Sequence, residues 1–153
     1  MQVRVSSVVA APPEAIFAVA VEVERWPEIM GAIERVDVLT PGPVAVGTRF
    51  RETRMMFGRR ATEEMTVAEL DASRRLVLTA HNHGTAYRAE HLFEPQGDGT
   101  RLTLTFVGEP QSLLARLFSP IGYMMLGTVR RQLASDLADL AREAERRHRN
   151  TAP

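Results

Sequence analysis

The stretch LVLTAHNHGTAYRAEHLF, residues 76–93, has the pattern of a β-hairpin and determines how the rest of the chain can be arranged. Apolar and polar side chains alternate on both sides of Gly84–Thr85, and glycine is favoured in the two-residue loops of hairpins. Residues that pair across a hairpin share a face of the sheet. With Gly84–Thr85 as the loop, Leu78 pairs with His91. The face expected to be buried carries Leu76, Leu78, Ala80, Asn82, Tyr87, Ala89, His91 and Phe93.

This hairpin holds three of the four histidines of the chain. The alternation places His81 and His83 on the outer face and His91 on the inner one, so one metal ion cannot collect all three. There is also no cysteine to supply a thiolate ligand. We therefore predict no metal site and no cofactor. His91 is either a core histidine with one satisfied hydrogen bond or an acid or base whose pKa is lowered by burial.

The segments around the hairpin extend it to a sheet of seven strands. A valine-rich strand at 2–10 is followed by strands at about 33–40, 48–56, 61–70, 75–83, 86–95 and 100–108, with short glycine-, proline- or polar-rich turns between them. PPEAIFAVAV (12–21) and WPEIMGAI (26–33) predict two short helices after the first strand.

The last third of the chain predicts one long helix. Ser119–Pro120 resembles a helix start, and apolar residues recur every three or four positions from Tyr123 to Ala144. Asp136 and Asp139 are assigned to the opposite, solvent-facing side. We therefore predict an α+β fold in which a seven-stranded antiparallel sheet curves around a long C-terminal helix.

The bulk properties limit the classes of function. The chain has 153 residues, a typical size for one domain, so we expect a single domain over 1–153. Nineteen basic residues balance 19 acidic ones, which argues against nucleic-acid binding. All the basic residues are arginine, as is typical of a high-GC bacterial genome. No apolar run reaches the length of a membrane span and no signal-peptide pattern occurs, so we expect a cytoplasmic protein.

Two segments resemble a known superfamily. VAAPPEAIFAVAVEVERWPEIM (9–30) resembles the opening of the START-like, or SRPBCC, superfamily, whose members share the helix-grip fold of the Bet v 1-like pollen allergens. LLARLFSPIGYMMLGTVRRQLASDLADLAREAE (113–145) resembles the closing helix of its polyketide cyclase/dehydrase-like branch. The resemblance covers nearly the whole chain. It implies a START-like domain with a deep hydrophobic cavity between sheet and helix, and a hydrophobic small molecule as its partner.

The candidate site residues come from the inner face of the sheet and from the helices. Continued strand pairing gives an apolar row that contains Phe50 and His91, and a polar row in which Arg54 and Glu63 are cross-strand neighbours. The small side chains of Ala80 and Ala89 leave room on the concave face. Predicted ligand-binding residues are Trp26, Met30, Phe50, Arg54, Met65, Asn82, Tyr87, His91, Phe106 and Tyr123.

Two functions remain open, and a third is disfavoured. The first is binding of a hydrophobic, polyketide- or lipid-like small molecule without chemistry. The alternative is a polyketide cyclase or dehydratase, with His91 or Glu63 as base and Tyr87 and Arg54 as hydrogen-bond donors. The third is partner binding, which would require an exposed apolar patch on the outer face of the sheet. The outer face between 77 and 94 is too polar for this.

The sequence departs from the aromatase/cyclase pattern at one place. Members of that group carry a serine and an arginine late on the fourth strand, facing the cavity. The matching positions here are Val67 and Glu69.

Overall fold

A computed structural model describes residues 1–151, which form one sheet and five helices. The strands are β1 (Gln2–Val9), β2 (Ile33–Val38), β3 (Arg49–Met56), β4 (Arg59–Asp71), β5 (Arg75–Asn82), β6 (Thr85–Gln96) and β7 (Gly99–Pro110). The helices are α1 (Pro13–Ala20), α2 (Trp26–Ile29), α3 (Leu113–Leu117), α4 (Ser119–Met124) and α5 (Leu126–Thr151), and a turn of 3₁₀ helix covers Val23–Arg25.

The strands form one antiparallel sheet in the order β1-β7-β6-β5-β4-β3-β2. β1 and β2 are the edges, and apart from the β1–β7 pair all neighbouring strands follow one another in sequence. The predicted α+β architecture is therefore confirmed, including the two short helices after the first strand and the long C-terminal helix. In the described part of the chain, no helix is both long and apolar enough to cross a membrane.

The hairpin loops differ from the prediction, although the faces do not. The β5–β6 loop is His83–Gly84, with φ angles of 49° and 74°, so Leu76 rather than Leu78 pairs with His91. The tight hairpin turn needs positive φ at both central residues, and glycine takes the second of them. The β3–β4 loop at Phe57–Gly58 behaves in the same way. Each of these two shifts is an even number of residues, so neither moves a side chain to the other face of the sheet.

One strand contains an irregularity that the alternation did not predict. The register between β4 and β5 shifts between Val67 and Glu69, as in a β-bulge. Val67 stays in the core, but Glu69 turns to the outer face, where it pairs with Arg75 at 2.9 Å and Arg88 at 3.3 Å. The expectation that Glu69 faces the cavity is therefore wrong.

The C-terminal third is broken into three helices, so the predicted single helix from Ser119 is wrong in its start. α5 begins only at Leu126, and Tyr123 in α4 is 59% exposed. The apolar stripe holds within α5, where Leu137 and Leu140 are buried. Asp136 is also buried, against the prediction, because it lies one turn before Leu140 on the same helical face.

Polar contacts fix α5 against the rest of the fold at several points. Near its C-terminus, Arg147 donates to both carboxylate oxygens of Glu22, at 2.9 and 2.7 Å. Asp139 accepts from the backbone N–H of Gly31 at 3.0 Å. The short helices before α5 are packed less deeply. Their large apolar side chains are mostly exposed: Leu113, Leu114, Leu117, Phe118, Ile121 and Met124.

Candidate functional site

A cavity of about 320 Å³ lies between the inner face of the sheet and α5. This volume is at the lower end of the range of small-molecule pockets. Most of its wall is apolar, and Ala61 and Ala89 leave open space on the sheet side. The apolar wall includes Met30, Met56, Met65, Leu78, Leu104, Phe106, Met125, Val129, Leu133, Leu137 and Leu140. The space therefore has the shape and polarity to hold a compact apolar molecule.

Most of the predicted site residues lie in this wall: Trp26, Met30, Arg54, Glu63, Met65, Tyr87, His91 and Phe106. Three others lie elsewhere. Phe50 is fully buried behind Trp26, with the two rings edge to face and 5.3 Å apart. Asn82 donates to Glu63 at 3.3 Å without lining the cavity. Tyr123 lines a neighbouring pocket of about 310 Å³ beneath α3 and α4.

The polar side of the cavity is arranged differently from the prediction. Arg54 pairs in the sheet with Ala61, and Glu63 lies opposite Glu52, so Arg54 and Glu63 are not cross-strand neighbours. Arg54 instead donates through Nε to Glu52 and through Nη1 to Asp136 at 2.9 Å. We call Glu52, Arg54 and Asp136 the polar cluster; all three lie in the cavity wall.

The polar cluster is deeply buried and its charges are not balanced. The side chains of Glu52, Arg54 and Asp136 are only 4%, 13% and 10% exposed. Burial lowers the pKa of Arg54, but the carboxylates of Glu52 and Asp136 outweigh this effect and raise it. Burial raises the pKa of Asp136 to about 6, although Arg54 opposes the shift. Two carboxylates therefore share one guanidinium.

One atom of the cluster lacks a hydrogen bond. Asp136 Oδ2 accepts from Arg54, whereas Oδ1 is enclosed and has no partner among residues 1–151. A buried carboxylate oxygen without a donor costs about 1–3 kcal/mol or more. The cluster therefore has the capacity for one further hydrogen bond, which a group in the cavity can supply only if the Asp136 side chain turns to expose Oδ1.

His91 lies on β6, between Leu76 of β5 and Leu104 of β7. It lines the cavity and is 9% exposed. Burial lowers the pKa of His91 to about 4, and the backbone of Leu76 and the charge of Glu90 oppose this only in part. The ring is therefore neutral near pH 7, and its Nδ1 has no partner in the described residues.

The two other histidines of the hairpin lie outside the cavity. His81 is exposed on the outer face of β5, and His83 is exposed in the hairpin turn. The separation of His91 from His81 and His83 follows the predicted alternation.

Tyr87 and Phe106 form an aromatic wall. Their rings are stacked, with centroids 5.6 Å apart. Gly108, opposite Tyr87 in β7, leaves room for this arrangement: a Cβ there would come within 3.1 Å of the tyrosine ring, which would have to shift by a few tenths of an ångström. The sequence predicted the two aromatic residues as site residues, but not the role of the glycine.

Glu52 and Asp136 were not predicted as site residues. Glu52 lies two residues before Arg54 in β3, so strand alternation puts both side chains on the inner face, which is a usable signal for a buried carboxylate. The signal for Asp136 is its spacing of three or four residues from Leu133 and Leu140 on the buried face of α5. Because aspartate is polar, Asp136 was instead predicted to face solvent.

Comparison with known proteins gives a family and a fold. The family model described as "Polyketide cyclase / dehydrase and lipid transport" matches residues 1–145. Among curated proteins, no sequence matches the chain.

Solved structures with the same fold cover almost the whole chain. The Zhui aromatase/cyclase from Streptomyces sp. R1128 is 21% identical with a TM-score of 0.75, over 96% of this chain and 94% of that one. Major latex-like protein 151 from Panax ginseng is 10% identical with a TM-score of 0.72, over 94% and 97%. A protein from Thermus thermophilus is 22% identical with a TM-score of 0.71, over 94% and 97%. These similarities confirm the expected helix-grip fold.

Proposed function

Because the chain belongs to the polyketide cyclase/dehydrase and lipid transport family, we propose that it binds a hydrophobic small molecule in the cavity between the sheet and α5. The observation that carries this proposal is the cavity itself, which combines apolar walls with a small group of buried polar side chains. Ligand sites in proteins commonly have this composition, since apolar walls supply affinity and a few polar groups fix orientation.

The cavity wall is suited to ligands of varied shape. Met30, Met56, Met65 and Met125 all line it, and flexible thioether side chains adjust to different apolar surfaces. Each square ångström of apolar ligand surface removed from water contributes about 25 cal/mol to binding. A polyketide- or lipid-like molecule of modest size is the class that fits.

Blocking the cavity tests the proposal. The neutral fluorescent probe N-phenyl-1-naphthylamine is titrated into the wild type and into Ala89→Phe, whose new ring fills space beside the sheet. Ala86→Phe is the matched control, because Ala86 is on the same strand but on the opposite face. We expect binding in the wild type and the control, and a loss of at least about tenfold in Ala89→Phe. Equal binding in all three proteins would contradict the proposal.

A second candidate function is proton-transfer catalysis of the cyclase or dehydratase type. It is favoured by one observation: Asp136 lies in the cavity wall with a pKa raised to about 6 by burial, close to the range in which general bases operate. His91, whose pKa is lowered to about 4, is a weaker base near neutral pH. Arg54, which donates to Asp136, and Tyr87, which also lines the cavity, are the groups that could stabilise a developing oxyanion.

A model reaction tests whether Asp136 can act as a base. In 5-nitrobenzisoxazole, removal of the C3 proton by a carboxylate breaks the N–O bond, and the electron pair ends on the phenolate oxygen. We expect the wild type to accelerate this ring opening and Asp136→Asn to lose the acceleration while its probe binding is retained. A rate equal to that of buffer, or an unchanged rate in Asp136→Asn, would remove this role.

A further inference from the structure

We infer that the polar cluster of Glu52, Arg54 and Asp136 selects the polar end of the cavity ligand: it accepts a hydrogen-bond donor, a hydroxyl or an ammonium group, and disfavours a carboxylate. The inference rests on the proposed function, because it assumes that an apolar ligand occupies the cavity. It goes further by naming the chemistry that the ligand must carry at one end.

The polar cluster contains an acceptor without a donor. Asp136 Oδ1 has no partner in residues 1–151, while Oδ2 is held by Arg54 at 2.9 Å. The carboxylate is nine-tenths buried, so water competes poorly for that oxygen. Because Oδ1 is enclosed, the inference requires that the Asp136 side chain turns to present this oxygen to a group in the cavity. An O–H or N⁺–H from the ligand then supplies the missing hydrogen bond, and bonds to charged acceptors are the stronger ones.

The ionisable groups of the cavity wall carry an excess of negative charge. The single guanidinium of the cluster is already shared between Glu52 and Asp136. The other ionisable side chains that matter near pH 7 are Glu63, which is acidic, and His91, whose pKa of about 4 leaves it neutral. The ammonium group of Met1 is the second cation of the wall and donates to the carbonyl of Gly108 at 3.0 Å, so three carboxylates face two cations. A ligand carboxylate would therefore enter a buried site that already has one negative charge in excess, which is costly.

The rest of the wall determines which part of the ligand reaches the polar cluster. Tyr87, Phe106 and the methionines supply the aromatic and apolar part of the wall. A molecule that places its apolar body against this wall meets the polar cluster as the region with the most buried charge, although His91, Glu63 and Gln132 also line the cavity. The cluster thus sets orientation as well as chemical preference.

Four ligands with one apolar body test the inference. Naphthalene, 2-naphthol, 2-naphthylmethylammonium and 2-naphthoate are titrated by calorimetry at about pH 7.5, where naphthol is neutral and naphthoate is ionised. We expect naphthol or the ammonium compound to bind at least about tenfold more tightly than naphthoate. The comparison of these two donors shows whether the cluster prefers a neutral or a charged donor.

In Asp136→Asn, we expect the preference over naphthoate to fall at least about fivefold, because one negative charge is lost. Asp98→Asn, in the exposed β6–β7 turn, removes the same charge outside the cavity and should leave the preference unchanged.

The outcomes distinguish a failure of this inference from a failure of the proposed function. If naphthoate binds the wild type as tightly as naphthol and the ammonium compound, the inference is wrong even when naphthalene binds. An unchanged preference in a folded Asp136→Asn contradicts it as well. Glu52→Gln, which removes the other negative charge, takes the place of Asp136→Asn if that variant does not fold. If none of the four ligands binds, the proposed function itself fails, and the inference fails with it.

Discussion

The guanidinium of Arg54 lies 2.9 Å from a carboxylate oxygen of Asp136, and this ion pair connects β3 to α5 through the wall of the cavity. Both side chains are nearly buried, and Glu52 holds the other edge of the guanidinium. The contact therefore has two consequences: it fixes the helix to the sheet beside the cavity, and it concentrates buried charge at one place in an otherwise apolar wall.

Removing the guanidinium should destabilise the fold strongly. Arg54→Met leaves the carboxylates of Glu52 and Asp136 buried without a cation, and such losses cost about 3–5 kcal/mol. The measurement is the free energy of unfolding in urea near neutral pH. Arg35→Met is the control, because Arg35 forms an exposed pair with Asp37 and should cost no more than about 1 kcal/mol. A similar small loss in both variants would show that the cluster is not stabilised by its cation.

Two buried groups should give opposite dependences of stability on pH. The pKa of Asp136 is raised to about 6 in the folded protein, so the folded state binds the extra proton and stability falls as pH rises from about 4 to 6. The pKa of His91 is lowered to about 4, so the unfolded state binds the extra proton and stability rises over about pH 4 to 6.5. Each effect is roughly 3 kcal/mol, and they largely cancel in the wild type.

Single variants separate the two effects. Relative to the wild type, Asp136→Asn should gain stability as pH rises from about 4 to 6, and His91→Leu should lose stability over the same range. Urea unfolding at several pH values measures both differences. The main groups facing Asp136 are Glu52 and Arg54 from β3 and Asp139 from its own helix, and all three are retained in both variants. Two differences of the same sign would contradict the assignment.

Phe57 has a strained backbone conformation, and its side chain should contact the ligand. It occupies the β3–β4 turn with φ of 52°, a conformation that bulky residues rarely adopt, and its half-exposed ring lines the cavity. Phe57→Asn suits the turn better, so the lost apolar contact and the relieved strain should change stability by less than about 1 kcal/mol. Binding of N-phenyl-1-naphthylamine should nevertheless weaken several-fold.

His83→Asn is the matched control for Phe57→Asn. His83 occupies the equivalent position of the β5–β6 turn, with φ of 49°, and does not line the cavity. The change should raise stability by about 0.5–1 kcal/mol and leave probe binding unaltered. Unchanged probe binding in Phe57→Asn would exclude Phe57 from the ligand contact.

The fold could be predicted from the sequence because its signals are local and repeated. Alternation along each strand identified the buried face, and two wrong loop assignments did not change it because each shift was an even number of residues. The resemblance of residues 9–30 and 113–145 to one superfamily supplied the same architecture independently. His91 was placed inward, apart from His81 and His83, on alternation alone.

The centre of the site could not be predicted, because it depends on contacts distant in sequence. Arg54 and Asp136 are 82 residues apart, and no local pattern shows that one will reach the other. Glu69 left the inner face through a bulge of one residue, which alternation cannot reveal. Tyr123 lost its expected place because the helix breaks before Leu126, although its apolar spacing continues across the break.

The most direct test of the account is to identify any small molecule that remains bound to the purified protein. Native mass spectrometry of the wild type, Ala89→Phe and Ala86→Phe, each freshly purified, is followed by solvent extraction and identification of any bound compound. We predict that the wild type and Ala86→Phe retain a small apolar molecule with a hydroxyl or amine group, and that Ala89→Phe does not. The same bound mass in all three proteins, or an apolar compound that ends in a carboxylate, would contradict the account.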